Sequence, residues 1–417
     1  MDFNKIIQRV RPSDEERKRV NNIINKVKGI LESNGLEVFI GGSFGKDTWV
    51  SGDFDIDLFV LFKNEENISD ILESILKKEN LDYIRIKGSR DYFKVFFENY
   101  EFEIIPILKI NKVEEAKNIT DLSPFHVKYV LEHTDEKMRD EIRLAKVFMK
   151  SIGVYGAESY IKGFSGYSVE LLIIYYKTFE NLIKNSVNWK PKVFIDLEGY
   201  YKDIKDAIKA LGRDKTKSPI ILIDPVNKIR NALASLSIQK FSEFIFYSNL
   251  FLEDEDKEKY FQKRKVNINE LIEYAKKYNV SLLEVEGIGK GSSKDIKNTK
   301  LLKFFENIVR SIRFWGFNIL NYYIFFDGEK GYLYVMFYPK KLPNYEVRRG
   351  PFVWERNNLL NFLRLHKGEE IFVKNSRVYS ITKRKVTNLN EIIERIVKEG
   401  VEDKVERFNY KLYLIDG

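Results

Sequence analysis

Residues 41–62 read GGSFGKDTWVSGDFDIDLFVLF, a loop of small residues running straight into an alternating acidic and apolar segment. Asp53, Asp55 and Asp57 alternate with Phe54, Ile56 and Leu58. Successive strand residues face opposite ways, so the three carboxylates are expected on one face of a strand. The continuation LFVLF suits a strand buried on both faces. Three anions so close repel one another unless a cation lies among them, and hard oxygen ligands suit Mg2+. In the loop, Gly42, Ser43, Phe44 and Gly45 let backbone N–H groups approach a phosphate, and Lys46 adds positive charge.

Toward the N-terminus, Ser13 and Glu16 have capping-box spacing, and Asp14, Glu15 and Glu16 suit the positive end of a helix. Val20, Ile23, Ile24, Val27, Ile30 and Leu31 recur at helical spacing up to a stop at Gly35, and a short strand over 37–40 leads into the loop. Toward the C-terminus come a helix over 67–78 and further strands, the last reading KVFFENYEFEIIPI over 94–107. Glu101 and Glu103 share one face of this strand, and either could supply a third carboxylate. Residues 1–133 are therefore expected to form a mixed α/β domain. Residues 134–256 read as mainly helical, with EIRLAKVFMKSIG, then GFSGYSVELLIIYYKTFENLIKN as one helix, and another from Asn227 to Phe251. Residues 257–417 return to α/β. The order helix (269–278), strand (281–286), helix (297–315) and hairpin (319–326 with 331–338) suggests a small ferredoxin-like or RRM-like sheet.

Composition narrows the class. There is no cysteine among the 417 residues, which excludes disulfides, thiolate zinc sites and cysteine nucleophiles. His126, His133 and His366 are too scattered for a histidine metal cage. No apolar run reaches membrane-span length and the N-terminus lacks an apolar signal core, so a soluble cytoplasmic protein is expected, with its oligomeric state, a homodimer included, left open. The net charge of +9 is uneven: residues 340–385 hold twelve Lys/Arg against four Asp/Glu. So much charge in about a tenth of the chain, interleaved with Tyr345, Phe352, Trp354, Phe362, Phe372 and Tyr379, favours a surface that binds RNA phosphates.

A glycine-serine loop followed at this spacing by DxD on a buried strand resembles the polymerase β-type nucleotidyltransferase superfamily. The longer series is more specific: EIIP at 103–106, SPFH at 123–126, EIRLAKVFMKSIGVYGAE, GFSGYSVELLIIYY, DPVNKIRNALASLS and VRRGPFVWE. In this order it resembles the archaeal-type (class I) CCA-adding enzymes, which are tRNA nucleotidyltransferases. The resemblance implies a nucleotidyltransferase head, a helical neck and a C-terminal body with a basic tail. It implies catalysis and Mg2+ ligation, by two ions, at Asp55, Asp57 and Glu103, where the family typically has Asp at the third position. Ser43 and Lys46 match the triphosphate-binding loop; His126, Lys146 and Tyr155 match residues that contact the incoming nucleotide; Arg230 matches the residue expected to read the base edge. The implied reaction joins C, C and A from CTP and ATP to a tRNA 3′ end without a template. Arg348, Arg349, Lys383, Arg384 and Lys385 are the expected grips on the acceptor and TΨC arms. The rivals are a poly(A) or oligoadenylate polymerase and an inactive RNA-binding relative.

Overall fold

The computed structural model describes residues 3–262, 266–339, 341–399 and 404–414. It divides into two compact units, Met1–Arg264 and Lys265–Gly417. Lys340, which opens the basic stretch, lies outside the described residues.

The first unit opens with α1 (Asn4–Val10), which the sequence reading did not anticipate, then α2 (Asp14–Ser33) and β1 (Glu37–Ile40). Ser13 caps α2 by accepting from Glu16 N at 3.1 Å. The Glu16 carboxylate does not return to the cap. It accepts from Ser51 Oγ at 2.6 Å and Gly52 N at 3.0 Å, tying the start of α2 to the loop ahead of the acidic strand. The glycine-rich loop winds into a single turn, α3 (Gly42–Gly45), before β2 (Ile56–Phe62). α4 (Ile68–Lys78), β3 (Asp82–Ile86), β4 (Tyr92–Phe97) and β5 (Tyr100–Leu108) complete a sheet of order β1-β2-β5-β4-β3. β2 and β5 run parallel and the other pairs antiparallel. The stretch expected as one strand over 94–107 is a hairpin. Glu98 and Asn99 both take positive φ, 46° and 66°, the conformation of a two-residue turn that matches strand twist.

The helical part comprises α5 (Ser123–His133), α6 (Glu136–Ser151), α7 (Gly166–Tyr176) and α8 (Phe179–Ser186). The single long helix expected over 163–185 is thus two. Lys177 has φ +72° and Thr178 caps α8 through Asn181 N, so the chain turns although its apolar pattern continues. β6 (Val193–Asp196), α9 (Ile204–Leu211), β7 (Ile220–Ile223) and α10 (Ile238–Glu253) follow. α10 begins eleven residues later than expected, because Asp224 to Asn231 close a hydrogen-bonded loop instead of a helical turn, with Asp224 N on Arg230 O at 3.0 Å. Ile6, Val10 and Val50 pack with residues of α6, α7, α8 and α10, while Val20, Val27, Leu58, Phe93 and Ile104 belong to a separate core within 1–133.

The second unit contains α11 (Ile268–Lys277), β8 (Ser281–Gly289), α12 (Lys294–Phe314), β9 (Asn318–Asp327) and β10 (Lys330–Tyr338). β11 (Tyr345–Phe352), α13 (Arg356–Leu365), β12 (Glu370–Lys374) and β13 (Arg377–Lys383) form an inserted sheet. α14 (Leu389–Glu399) and β14 (Val405–Tyr413) then return. The order β14-β8-β10-β9, antiparallel throughout with α12 and α14 against it, is the ferredoxin-like arrangement expected from the hairpin and its flanking helix. The basic tail is the insertion, a separate sheet of order β11-β13-β12.

Candidate active site

β2 starts only at Ile56, so the three aspartates do not share a strand face. Asp53 sits in the turn before it and its carboxylate accepts from Lys150 Nζ at 2.8 Å, outside the acidic group. Asp55 is exposed immediately ahead of the strand and Asp57 lies on it. The parallel register sets Asp57 directly beside Glu103, and this resolves the choice of neighbour. Glu101 forms a close ion pair with Lys94 instead, while Lys94 stands 3.6 Å from Glu103. Burial, then Glu103 and Asp55, push the Asp57 carboxyl up to about 7. Glu103 is raised by burial and by Asp55 against the pull of Lys94. Among the described residues no three acidic or histidine side chains form a ready-made cage for one ion. A divalent cation that completes its shell with substrate phosphates needs only one or two carboxylates, and these hard oxygens, mutually repelling, fit that need.

The loop is built around the same strand. Gly41 N donates to Asp57 O at 2.9 Å. Gly42 has φ +55°, and a Cβ there would stand 1.7 Å from Asp57 Oδ2, so only glycine lets the loop pass the carboxylate. Ser43, Lys46, Asp55 and Asp57 line a cleft of about 240 Å³ with Lys146, Tyr155, Tyr167 and Glu170. Lys46 does not project freely into it. Its ammonium donates to Glu170 Oε2 at 2.7 Å and lies 5.1 Å above the Tyr167 ring. Lys146 uses all three of its N–H donors, on Glu170 Oε1 at 2.8 Å, Thr48 Oγ1 at 2.9 Å and Thr48 O at 3.1 Å. Burial pulls Lys146 down to about 8 against Glu170. Burial works against the Glu170 charge too, but Lys146 and Lys46 outweigh it and hold that carboxyl at about 2. The Tyr155 hydroxyl is raised by burial and nearby carboxylates, and Lys150 lies 5.0 Å over its ring.

His126 and Arg230 do not line the cleft but reach it through Tyr167. Asp224, fully buried, accepts from His126 Nε2 at 3.1 Å, Arg230 Nη1 at 2.7 Å and the Tyr167 hydroxyl at 3.0 Å. Against the cost of burial, His126 and Arg230 keep Asp224 well below the usual carboxylate range. His126 itself is lowered by burial despite Asp224. The His126 ring packs 4.3 Å from that of Tyr167.

The five basic tail residues divide. In the β11–β13 register Tyr345 faces Lys383 and Arg349 faces Tyr379, which puts Arg349 and Lys383 on one sheet face with the stacked Phe372 and Tyr379. The other face carries α13, where a Cβ on Gly350 would press 2.8 Å into Phe362. Arg348, on that opposite face, is tied to Glu346 at 2.9 Å. Lys385 is exposed beyond the strand end. Arg384 departs from expectation: its side chain is only 10% exposed and donates to Trp315 O at 2.9 Å and Glu346 at 2.6 Å, a structural tie within this unit.

Three family models match the chain in order: a nucleotidyltransferase domain at residues 21–143, a tRNA nucleotidyltransferase second domain at 140–262, and a CCA-adding enzyme C-terminal domain at 291–412. A CCA-adding enzyme of Nanoarchaeum equitans is 38% identical over 91% of this chain and 93% of its own. This chain belongs to the CCA-adding enzyme family. Other CCA-adding enzymes, of Sulfolobus acidocaldarius and Methanocaldococcus jannaschii, are 32% and 31% identical, covering 93% and 96% of this chain and 89% and 91% of theirs. Among solved structures, a cytoplasmic RNA terminal U-transferase aligns over 63% of this chain and 98% of its own, with a TM-score of 0.50 and 13% identity, a likeness of fold. Nucleotidyltransferases of this family generally use divalent metal ions, and among the described residues no helix is long and apolar enough to cross a membrane.

Sequence reasoning missed Glu170, Thr48, Tyr167 and Asp224 as parts of the site. Glu170 left a signal as the lone charge in the apolar run YSVELLIIYY. Asp224, before a proline at the end of a short apolar strand, opened the DPVNKIRN segment of the family resemblance without a role of its own.

Proposed function

We infer that this chain adds C, C and A to the 3′ end of tRNA from CTP and ATP, without a nucleic-acid template. The tRNA 3′-hydroxyl attacks the α-phosphate of the bound nucleotide, the bond to the β-phosphate breaks and pyrophosphate leaves. Asp55, Asp57 and Glu103 are the residues that would hold a pair of Mg2+ ions, which when bound neutralise phosphate charge and favour ionisation of the attacking hydroxyl. Ser43, the N–H groups around Gly42 and the Lys46 ammonium receive the leaving phosphates. Lys146 joins them by exchanging a bond to Thr48. Tyr155 walls the nucleotide side of the cleft. Arg230, with Nη1 held by Asp224, turns its remaining donors to cytosine and adenine acceptors, and His126 is held beside it.

Residues 1–133 act as head, 134–256 as neck and 257–417 as body and tail, with Arg349, Lys383 and Lys385 on the acceptor and TΨC arms, and the work belongs in the cytoplasm. The observation that carries this reading is the register that sets Asp57 beside Glu103 and under the Gly42 turn, in a chain of this family. The test is incubation with tRNA lacking CCA and with each nucleotide singly and together, followed by sequencing of the 3′ end. CTP alone is expected to give CC, and CTP with ATP to stop at CCA. A long run of A would support a poly(A) polymerase, and no incorporation an inactive relative.

A further inference from the structure

Glu170 is built into a place where a carboxylate is costly. It stands mid-helix on α7 between Val169 and Leu171, its side chain 1% exposed. Both oxygens are used: Oε2 accepts from Lys46, and Oε1 from Lys146 and from Thr48 Oγ1 at 2.5 Å. Three pieces of chain meet on it, the segment after α3, α6 and α7. Removing one partner of such a buried group strands the others, so the cluster stands or falls together.

We propose that Glu170 is a positioning residue for the nucleotide's triphosphate, which orients the Lys46 ammonium at the cleft wall and holds Lys146 beside it. The proposal rests on the reading that Lys46 meets the leaving phosphates. Two ammonium groups share one carboxylate, so the cluster keeps a net single positive charge at this wall of the cleft. Of the three Lys46 N–H groups, Glu170 takes one and two remain for the cleft. Without the carboxylate, two ammonium groups would share a buried wall, and Lys146, already lowered by burial, would lose its proton at lower pH. The charged and titratable groups facing this pair are Glu170 from α7, Lys150 from the next turn of α6, Asp57 from β2, His126 from α5, and the hydroxyls of Tyr155 and Tyr167.

The experiment measures equilibrium binding of CTP and of ATP to the full chain from pH 6 to 9, for wild type, Glu170→Gln and Glu170→Asp. The glutamine variant keeps the shape and loses the charge; the aspartate variant does the reverse. For Glu170→Gln, both nucleotides should bind about tenfold more weakly at pH 8 and less than about threefold more weakly at pH 6, the bend in affinity moving down by about one unit. Glu170→Asp should keep the wild-type bend. A merely structural glutamate gives the reverse order: a benign glutamine variant with the wild-type pH profile and a damaged aspartate variant, which would overturn the proposal. Should the glutamine variant fail to fold, the aspartate variant decides, and a bend displaced by a unit or more counts against the proposal. Lys46→Gln separates the underlying reading: if it leaves both affinities intact, Lys46 does not meet the triphosphate.

Discussion

The cleft of the first unit and the tail sheet of the second both concentrate charge, in opposite ways. In the cleft Lys46, Lys146 and Glu170, and behind Tyr167 Asp224, are buried and each has named partners, so every charge fixes the position of another. On the tail, Arg348 is 49% exposed with a single carboxylate neighbour, and Arg349, Lys383 and Lys385 stand in solvent. Buried ion pairs hold geometry and are costly to break, whereas exposed charges are screened and contribute little to stability. Charge in the cleft therefore sets the shape of a site, and charge on the tail is available to a partner.

The sharpest break of this contrast is at the acidic floor. Asp55→Asn or Asp57→Asn should reduce incorporation of both C and A by about 10³-fold or more, because one carboxylate group serves both nucleotides. Single-nucleotide incorporation on tRNA ending before CCA and on tRNA ending in CC reads the two steps apart, and loss of only one would mean two separate sites. Next is Arg143, whose side chain is 0% exposed and donates to Asp140 at 2.9 Å, to Asp47 at 2.8 Å and to Trp49 O. It clamps the segment after the glycine turn to α6. Arg143→Met leaves Asp140 with Arg11 and Asp47 with Arg17 and Arg139 but removes the donor to Trp49 O, and should cost about 2–3 kcal/mol in denaturant unfolding, whereas Arg348→Met should change stability by less than about 1 kcal/mol.

A third test uses pH. The Asp57 carboxyl is held above its ordinary value, so the folded state binds its proton more tightly than the unfolded state does. Its contribution is therefore fully present below the unfolded carboxylate value and lost as pH rises toward about 7. In metal-free protein, wild type should lose stability relative to Asp57→Asn between about pH 4 and 7, and parallel pH–stability curves would count against this. The smallest effects belong to the tail. Arg349→Ala should lower tRNA affinity and flatten the slope of log affinity against log salt by about 0.7–0.9, more than Arg348→Ala, which already has Glu346 as a partner. Arg384→Ala should lower thermal stability and leave the slope nearly unchanged. Filter binding at several salt concentrations measures the slopes, and equal slopes for all three variants would erase the distinction between the sheet's faces.

What could be read along the chain was whatever depends on neighbours in sequence. The glycine-serine turn, the strand that follows Asp55, the capped helix from Asp14, the hairpin around Gly328 and the clustered basic residues each express a period or a turn preference within a few residues. Burial and register do not work that way. Lys46 meets Glu170 across 124 residues of chain, and His126 meets Asp224 across 98, and no local pattern encodes such pairs. Glu101 and Glu103 share one strand face and are equivalent in the sequence. Pairing with the neighbouring strand put Glu103 beside Asp57 and left Glu101 to Lys94. Arg384 looked like its basic neighbours until the fold turned it inward onto Trp315 and Glu346. Residue type and spacing determined which chemistry this chain can carry. The packing of distant segments determined which of its charges are held in place and which are left to a partner, because the energy of a charge depends on its burial and on what stands opposite it.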